Sequence, residues 1–317
     1  MKFSTRLNSF ALGEGRKYPR GDESVLHLIK IAGTVEGLTS LELNFPEHFR
    51  QNSPSEIRHA MDAAGLTIEG IQLRWPSPEF SRGGFTNVSA DIREKAVKLV
   101  FGAVDVAREL GVDHVLLWPA HDGYEYPFQL EYHSAWDHLV GALQEVADYA
   151  SDLRVSIEYK PAEPRAKTLL DTTGSVMHLL NLVNRPNVGA TLDFGHLLMA
   201  DENPAQSAAM CIRQGKLYGM QLNDAHGSAD DGLMVGSIHL PQTLELIYYL
   251  RKYSYAGTYY FDTDPVRENP VQECAANISR VKDLVKIVDA MLAEDGVADT
   301  DDALLVSSRA WNRLVKS

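Results

Sequence analysis

The feature that most constrains the fold of this 317-residue chain is a regular alternation of short apolar runs with longer amphipathic segments. Eight apolar runs have the length of strands, and each is followed by a segment with helical periodicity. Several of the helical segments begin with Ser, Asp or Thr and end at Gly, which are start and stop signals of helices. The predicted strands are 2–10, 39–45, 67–75, 113–120, 154–161, 187–195, 216–224 and 257–264.

Strict alternation of strand and helix implies parallel strands that are joined by right-handed crossovers. Eight such units favour a closed barrel over an open sheet, so the predicted fold class is α/β, a (β/α)8 TIM barrel. We expect the barrel to form one catalytic domain over residues 1–292. Residues 293–317 are predicted to form an acidic linker and a short C-terminal helical extension, and a frayed terminus is the alternative.

Composition and charge exclude several classes of protein. The formal charge of −13 opposes the phosphates of nucleic acids, so no nucleic-acid partner is expected. No apolar run reaches the roughly 18 residues that span a bilayer, and the N-terminal stretch lacks the apolar core of a signal peptide. We therefore expect a cytoplasmic protein without a membrane partner, in which Cys211 and Cys274 are reduced core thiols.

Polar residues close four successive predicted strands. In a barrel of this kind, chemistry lies at the C-terminal ends of the strands. The fifth strand ends in Glu158 and Lys160, the sixth ends in Asp193 with His196 three residues later, and the eighth ends in Asp262. The other polar residues at these ends are Gln221, Asn223, Asp224 and His226 on the seventh strand and Asp264 and Arg267 after the eighth.

A divalent metal ion would explain three neighbouring carboxylates. Burying one carboxylate is costly, and burying several together without a cation costs more. Glu158, Asp193, Asp262 and a side chain of the seventh strand would form an oxygen-rich set. Such a set suits Mn²⁺, with Mg²⁺ or Co²⁺ as alternatives, better than a structural zinc. The structural alternatives are an ion pair for Glu158, turn formation for Asp193 and Asp262, and an ordinary loop position for His196.

Several segments resemble one known family. "IEYKPAEPR" matches the fifth-strand stretch of aldose isomerases, and "TLDFGH" matches their acidic residue three positions before a histidine. "FDTDPVR" matches their metal-binding Phe-Asp that is followed by Pro and Arg. With "LLWPAHDGYEYPFQ" and "LNDAHGSADDGLMVGSIH", these segments are similar to the xylose-isomerase-like TIM-barrel superfamily. The resemblance covers residues from about 113 to about 270 and implies a barrel, a divalent cation and chemistry on a sugar or polyol.

The chain also departs from the pattern of that family. The resemblance implies that Gln221 is the seventh-strand ligand, where family members have His or Asp. In the loop of the second metal site, Asp230 and Asp231 are followed by Gly232 at the position of the second acid. The ring-opening histidine of the second strand has no counterpart. The resemblance therefore implies one metal site and leaves the second in doubt. The implied metal ligands are Glu158, Asp193, Gln221 and Asp262.

The activity that the resemblance implies is isomerisation or epimerisation of a monosaccharide through an enediolate-type intermediate. Glu158 is the predicted base or ligand, and Asp262 is predicted to lie on the opposite side of the metal site. Lys160 is predicted to donate to a substrate oxygen, and His121 to act as general acid or base, with a plain loop histidine as its alternative. Trp75 and Trp118 are expected to stack on a sugar or aromatic face, with packing in the core as their alternative. The predicted substrate-binding residues are Trp75, Trp118, His196 and Arg267.

Two other functions stay open at the level of sequence. Some members of the superfamily are catalytic subunits of C-glycoside deglycosidases, which cleave a carbon–carbon bond in 3-oxo-C-glycosides and need a small β-rich partner. The incomplete second metal set and His121 are compatible with that lyase. The third interpretation is a non-catalytic sugar-binding barrel. The expected partners are a small-molecule sugar or glycoside and either further copies of the chain or a small subunit.

Overall fold

Eight parallel strands form a closed barrel in the computed structural model, which describes residues 1–12, 24–76 and 78–293 together with Ser308, Asn312, Leu314 and Val315. Each of the eight predicted strands overlaps one barrel strand, and the predicted fold class is confirmed. The barrel strands are Phe3–Arg6 (β1), Ser40–Phe45 (β2), Thr67–Leu73 (β3), His114–Leu117 (β4), Arg154–Glu158 (β5), Val188–Asp193 (β6), Leu217–Leu222 (β7) and Tyr259–Phe261 (β8).

Sequence order is also the order of the strands around the barrel, and β1 closes it by pairing with both β2 and β8. Helices connect the strands on the outside. Each of the eight predicted helical segments forms a helix within its described residues, and the six-residue helix Phe194–Met199 was not predicted because it is too short for a helical period to be recognised. The helices are Val25–Ala32 (α1), Pro54–Ala64 (α2), Ala90–Leu110 (α3), Tyr132–Tyr149 (α4), Thr173–Val183 (α5), Phe194–Met199 (α6), Pro204–Arg213 (α7), Leu240–Lys252 (α8) and Pro270–Ala293 (α9).

Local capping determines where several helices begin and end. The Ser53 hydroxyl accepts the N–H of Glu56, and the Glu56 carboxylate accepts the N–H of Ser53, so that two free donors at the start of α2 are satisfied. Gly65 and Gly111 end α2 and α3 with φ of +70° and +64°, a left-handed conformation that glycine adopts without steric cost. These stops turn the chain directly into β3 and β4.

The interior of the barrel contains a chain of hydrogen-bonded polar side chains. The distance from His114 Nε2 to Ser156 Oγ is 2.7 Å, and Ser156 Oγ is 2.7 Å from Thr191 Oγ1. Burial lowers the pKa of His114 to about 3, so its imidazole is neutral. Glu158 and Asp193 lie two residues further along β5 and β6, and their side chains therefore face the same interior at its C-terminal end.

A short antiparallel ribbon, formed by Gly123–Tyr124 and Lys167–Thr168, joins the loops that follow β4 and β5. A Cβ at Gly123 would lie 2.0 Å from the carbonyl oxygen of Lys167, so only glycine fits there. Arg165 reinforces this link, because its Nη2 donates to Glu125 Oε2 at 2.7 Å and its Nη1 to the His121 carbonyl at 3.1 Å. The loop with His121 is thereby held at the mouth of the barrel.

The C-terminal tail was predicted to be helical beyond an acidic linker. All four described tail residues are helical, and Leu314 packs against the core of the barrel. The linker and the rest of 294–317 lie outside the described residues, so the predicted domain division stays a prediction. Cys211 and Cys274 are free and buried, as expected. None of the helices in the described ranges is long and apolar enough to cross a membrane, and the cytoplasmic location stays a prediction.

Replacing Phe261 with Ala should lower the free energy of unfolding by about 3–5 kcal/mol, because Phe261 is fully buried and stacks on Phe3 with ring centroids 6.0 Å apart. Urea denaturation measures this change. The matched control is Val88→Ala, whose side chain is 81% exposed and whose loss should change stability by less than about 0.5 kcal/mol. Equal effects of the two substitutions would contradict the described packing.

Candidate functional site

The four side chains predicted as metal ligands lie at the C-terminal ends of four consecutive barrel strands. Glu158 and Asp193 end β5 and β6, Gln221 is the penultimate residue of β7, and Asp262 follows β8 directly. Strand pairing places Asp193 directly beside Gln221. We call these four residues the cage.

Glu158 is buried, with 2% of its surface exposed, and Gln72 on β3 donates from Nε2 to its Oε2 at 3.1 Å. Burial, with repulsion from Asp262 and Asp193, raises the pKa of Glu158 to about 7. It does not form the predicted structural pair with a neighbouring cation of its own loop, because Lys160 pairs with Asp230 and Arg165 with Glu125. The carboxyl is therefore poised to exchange a proton near neutral pH.

Asp193 has both a structural contact and a place in the cage. Its Oδ1 accepts the backbone N–H of His196 at 2.9 Å and so caps the start of α6, which is the structural alternative considered from the sequence. Its Oδ2 accepts from Asn223 Nδ2 at 2.9 Å, and Asn223 also donates to the Asp262 carbonyl at 3.1 Å. Burial raises the pKa of Asp193 above its usual range. One amide thus links the ends of β6, β7 and β8.

His196 is a buried cation among the carboxylates rather than an ordinary loop histidine. Its Nδ1 lies 3.5 Å from Glu158 Oε1 and 3.9 Å from Asp193 Oδ1, and its Nε2 lies 3.3 Å from Asp230 Oδ2. Burial by itself disfavours the imidazolium, but Asp193, Asp230 and Glu158 outweigh it and raise the pKa of His196 well above its usual range. The predicted site residue His196 therefore lies inside the site.

Lys160 is 5% exposed and forms two ion pairs, at 2.8 Å to Glu163 Oε2 and at 3.0 Å to Asp230 Oδ2. Asp230 comes from the loop after β7, where the family resemblance places acids of a second metal site. Despite its own burial, hydrogen bonds and charge attraction from His196 and Lys160 hold the pKa of Asp230 below its usual range. Gly232 has φ of +58°, and a Cβ there would lie 2.9 Å from Asp264 N, so no second acid fits at this position.

Arg6, at the end of β1, is a site residue that the sequence analysis missed. Its Nη1 lies 2.9 Å from Asp262 Oδ1 and 3.1 Å from Asp264 Oδ1. Although burial disfavours the charge, these two carboxylates raise the pKa of Arg6 above its already high value. Arg6 therefore offsets part of the negative charge of Asp262.

Gln72 connects Glu158 to a second arginine that the sequence analysis missed. Arg74 donates from Nε and Nη2 to Gln72 Oε1 at 3.2 and 3.1 Å, while the Gln72 amide nitrogen donates to Glu158. The Arg74 guanidinium carbon lies 5.5 Å from the centroid of a Trp118 ring, and Lys160 Nζ lies 5.7 Å from one. Trp118 therefore packs against two cations, and its predicted role in substrate binding stays a prediction.

Glu42 on β2 adds a further buried carboxyl that was missed. It is 4% exposed, and its Oε1 has no hydrogen-bond partner among the described residues. Burial and repulsion from Glu158 and Asp262 raise the pKa of Glu42 to about 8, so the group is largely protonated at neutral pH. A neutral Glu42 limits the negative charge inside the barrel.

The remaining predicted residues have different positions. His121 is half-buried at the mouth, and burial lowers its pKa, so the imidazole is neutral at pH 7. Trp75 is 7% exposed and contacts Phe85 edge to face at 5.0 Å, which is the core-packing alternative. Arg267 is exposed in the loop after β8, and no contact of its side chain with the cage is formed. Its role in substrate binding stays a prediction.

Comparison with known proteins identifies the family. The family model described as xylose isomerase-like TIM barrel matches residues 33–276, which is most of the chain. The chain belongs to the xylose isomerase-like TIM-barrel family. The resemblance seen in the sequence is thereby confirmed.

Members of this family are similar to the chain in sequence and in fold. The xylose isomerase of Thermus thermophilus is 29% identical over 229 residues, which are 70% of this chain and 59% of that enzyme. The chain thus matches about three fifths of the length of this curated relative. An L-ribulose 3-epimerase has a TM-score of 0.72 at 13% identity, covering 95% of this chain and all of that one. A D-allulose 3-epimerase from Methylomonas sp. has a TM-score of 0.70 at 18% identity, covering 90% and 98%. At such identities the structures establish a shared fold.

Two observations test whether the cage of this family member fits a divalent cation. Both amide atoms of Gln221 are buried without a hydrogen-bond partner in the described part of the chain, and a cation would satisfy its Oε1. No three His, Cys, Asp or Glu side chains of the described residues are grouped closely enough to hold a metal, while Asp262 is turned to Arg6. The oxygen donors of the cage are therefore of the type that a divalent cation prefers. Binding requires Gln221 as one of the ligands and a shorter distance between the four side chains.

Three of the missed residues follow the same rule as the cage, because Arg6, Gln72 and Arg74 lie at or next to the C-terminal ends of β1 and β3. Glu42 does not follow it, since it lies in the middle of β2.

The raised pKa of Glu158 predicts a pH-dependent cost of folding in metal-free protein. Because this pKa is about 7 in the folded state and about 4 in the unfolded chain, stability falls as the pH rises from about 4 through about 7. Glu158→Gln should be as stable as wild type near about pH 4 and more stable by up to about 3 kcal/mol above neutrality. Urea unfolding with a chelator present measures this difference.

The control for this series is Glu109→Gln, since Glu109 is exposed on α3. Its stability should follow that of wild type at every pH. A constant difference between Glu158→Gln and wild type across the pH range would show that Glu158 does not titrate near neutrality.

Proposed function

We propose that the chain is a divalent-metal-dependent sugar isomerase or epimerase that acts on a monosaccharide through an enediolate-type intermediate. The observation that carries this proposal is the Glu158 carboxyl, which is buried at the catalytic end of the barrel and oriented by the Gln72 amide. A carboxylate held in place next to a reacting C–H bond can act as a general base. The names of the relatives, which are isomerases and epimerases of sugars, support the same activity.

The proposed cation would be held by Glu158, Asp193, Gln221 and Asp262, with Mn²⁺ as first choice and Mg²⁺ or Co²⁺ as alternatives. When bound, such a cation supplies Lewis-acid polarisation of a substrate carbonyl. Gln221 contributes no charge, and Arg6 already neutralises part of Asp262. The net charge that this cage presents is therefore smaller than four carboxylates would give.

Glu158 removes a proton from the carbon next to the substrate carbonyl in the proposed reaction. The C–H electron pair becomes the double bond of the enediolate, and the carbonyl oxygen takes the negative charge. Return of a proton to the former carbonyl carbon, with transfer of the neighbouring hydroxyl proton to the former carbonyl oxygen, completes an isomerisation. Delivery of a proton to the original carbon from the opposite face, with the carbonyl formed again, completes an epimerisation. Asp262, at the end of β8, is the carboxylate proposed to act from the other side.

Cationic side chains stabilise the charge that develops on the substrate oxygen. Lys160 has three N–H donors, of which Glu163 and Asp230 take two, so one is left for a substrate oxygen. The imidazolium of His196 adds positive charge beside Glu158. The neutral imidazole of His121 is suited to accept a hydroxyl proton at the mouth of the barrel.

Carbon–carbon cleavage of C-glycosides is not proposed, because the relatives named above are isomerases and epimerases and give that lyase no support. The oligomeric state and a small partner subunit stay predictions. Formation of an aryl product from a 3-oxo-C-glycoside, without interconversion of any free sugar, would overturn the proposed function.

Glu158→Gln should lower turnover by a factor on the order of 10²–10⁴, because the amide cannot accept the proton. A panel of free aldoses and ketoses, followed by chromatography of the products, first identifies the substrate that wild type converts. The rate of the variant is then measured on that sugar. Glu109→Gln, at an exposed position on α3, serves as control and should keep full activity. Near-normal activity of Glu158→Gln would disprove the proposed base.

Removal of divalent cations with a chelator should abolish turnover, and addition of Mn²⁺ should restore it. Mn²⁺ should also raise the melting temperature of wild type, since a ligand of the folded state stabilises it. Gln221→Leu removes the oxygen donor and should weaken this shift. An unchanged rate after chelation, confirmed by metal analysis of the protein, would contradict the metal requirement.

A further inference from the structure

Arg74 carries a positive charge at the mouth of the barrel, yet no described carboxylate pairs with it. Its guanidinium is half-buried, donates to the neutral amide oxygen of Gln72 at 3.1–3.2 Å and packs against Trp118. Partial burial of a charged group is costly unless the charge is compensated. The structure therefore provides a guanidinium whose charge is available to an anion.

The other cations of the site differ from Arg74 in this respect. Each of them pairs with an acidic side chain, as expected in a chain with 43 acidic and 30 basic residues. An arginine that lacks such a partner, although acids are in excess, is suited to bind a carboxylate or phosphate from outside, for which guanidinium geometry is favourable. The paired cations are Arg6 with Asp262, Lys160 with Asp230, and Arg165 with Glu125.

Arg74 lines a small solvent-open cleft of about 40 Å³ between the loops after β3 and β4. Two further donors belong to this cleft, since the indole N–H groups of Trp75 and Trp118 are buried and have no acceptor among the described residues. An unsatisfied buried donor is costly, so both indoles have unused capacity to donate to an acceptor beside the guanidinium.

Asp122 gives the cleft one acceptor. Its Oδ1 accepts the N–H of Gly84 at 3.1 Å and both the N–H and the hydroxyl of Thr86 at 2.6 Å, which fixes the loop after β3. Its Oδ2 is buried and has no donor in the described part of the chain. A ligand hydroxyl can donate to that oxygen, whereas a second anionic group beside it is disfavoured. The guanidinium of Arg74 and the free oxygen of Asp122 therefore match a carboxylate with a hydroxyl on the neighbouring carbon better than a doubly charged phosphate.

The cleft adjoins the proposed reaction site. Trp118 forms a wall of this cleft and also of a neighbouring cavity of about 10 Å³, which Glu158 and Lys160 line. Gln72 joins Arg74 to Glu158 by hydrogen bonds, so a ligand held at Arg74 lies next to the proposed base. We propose that the cleft binds the carboxylate of a sugar acid, so that the substrate of this site is an anionic sugar. This inference rests on the proposed function, which named only a monosaccharide.

Titration calorimetry with the full-length chain tests the inference through pairs of sugars with the same configuration. D-Glucuronate is compared with D-glucose, and D-galacturonate with D-galactose, so that each pair differs by a carboxylate in place of a hydroxymethyl group. At least one acid should bind about tenfold more tightly than its neutral partner, as expected for a charge-assisted hydrogen bond. Equal affinities within both pairs, no binding of any acid, or tightest binding of D-glucose 6-phosphate would overturn it.

Arg74→Gln should abolish the preference for the acid, so that each acid and its neutral partner bind with equal affinity. The matched control is Arg154→Gln, because Arg154 also lies over an aromatic ring, 5.9 Å from that of Tyr218, but at the opposite end of the barrel. This control should keep the preference. An Arg74→Gln variant that still prefers the acid would disprove the role of Arg74.

Binding and turnover separate this inference from the proposed function. If neutral sugars are interconverted and the sugar acids bind no more tightly than the neutral sugars, the proposed isomerase stands and the anionic substrate is wrong. If an acid binds through Arg74 but wild type interconverts no sugar or sugar acid, the anion site stands and the proposed function is wrong.

Discussion

Burial of the Glu158 carboxyl at the end of β5 is the constraint on which the rest of the site depends. In water this group would be ionised at neutral pH, but inside the barrel its charge is opposed by lost solvation and by Asp193 and Asp262. Gln72 donates to one of its oxygens, and His196 lies 3.5 Å from the other. These contacts lower the cost without removing it, so the pKa settles near 7. The same balance that destabilises the ionised form makes the group a suitable proton acceptor.

Positive side chains of the chain itself compensate most of the other acids. His196 and Lys160 share Asp230, and Arg6 bridges Asp262 and Asp264. The family resemblance suggested acids of a second metal site in the loop after β7. At these positions the chain has Gly232 in a left-handed conformation and Asp230, which pairs with Lys160 and His196. Asp230, Asp262 and Asp264 therefore each have a positively charged partner within the chain. Only the Gln221 amide is left with both of its polar atoms unpaired among the cage residues.

The strand-end rule was effective for the cage because parallel strands bring their carboxyl ends to one rim of a barrel. Glu158, Asp193 and Asp262 are far apart in sequence, and their common location followed from the alternation of strands and helices alone. The rule cannot say which way a side chain turns beyond the rim. It did not predict the contacts of Trp118 with Arg74 and Lys160, which form because long cationic side chains from neighbouring strands reach the same ring.

The sequence by itself determined the barrel, the positions of its eight strands, and the set of acidic residues at the rim, because hydrophobic periodicity and helix signals are local properties of the chain. It also carried the family resemblance that the family model confirmed. Only the tertiary structure decided which charges meet. The pairing of Arg6 with Asp262 joins residues 256 positions apart, and the contact of Gln72 with Glu158 joins residues 86 apart. Such contacts depend on the curvature of the closed barrel and on how far each side chain reaches. Neither property can be predicted from a local sequence pattern.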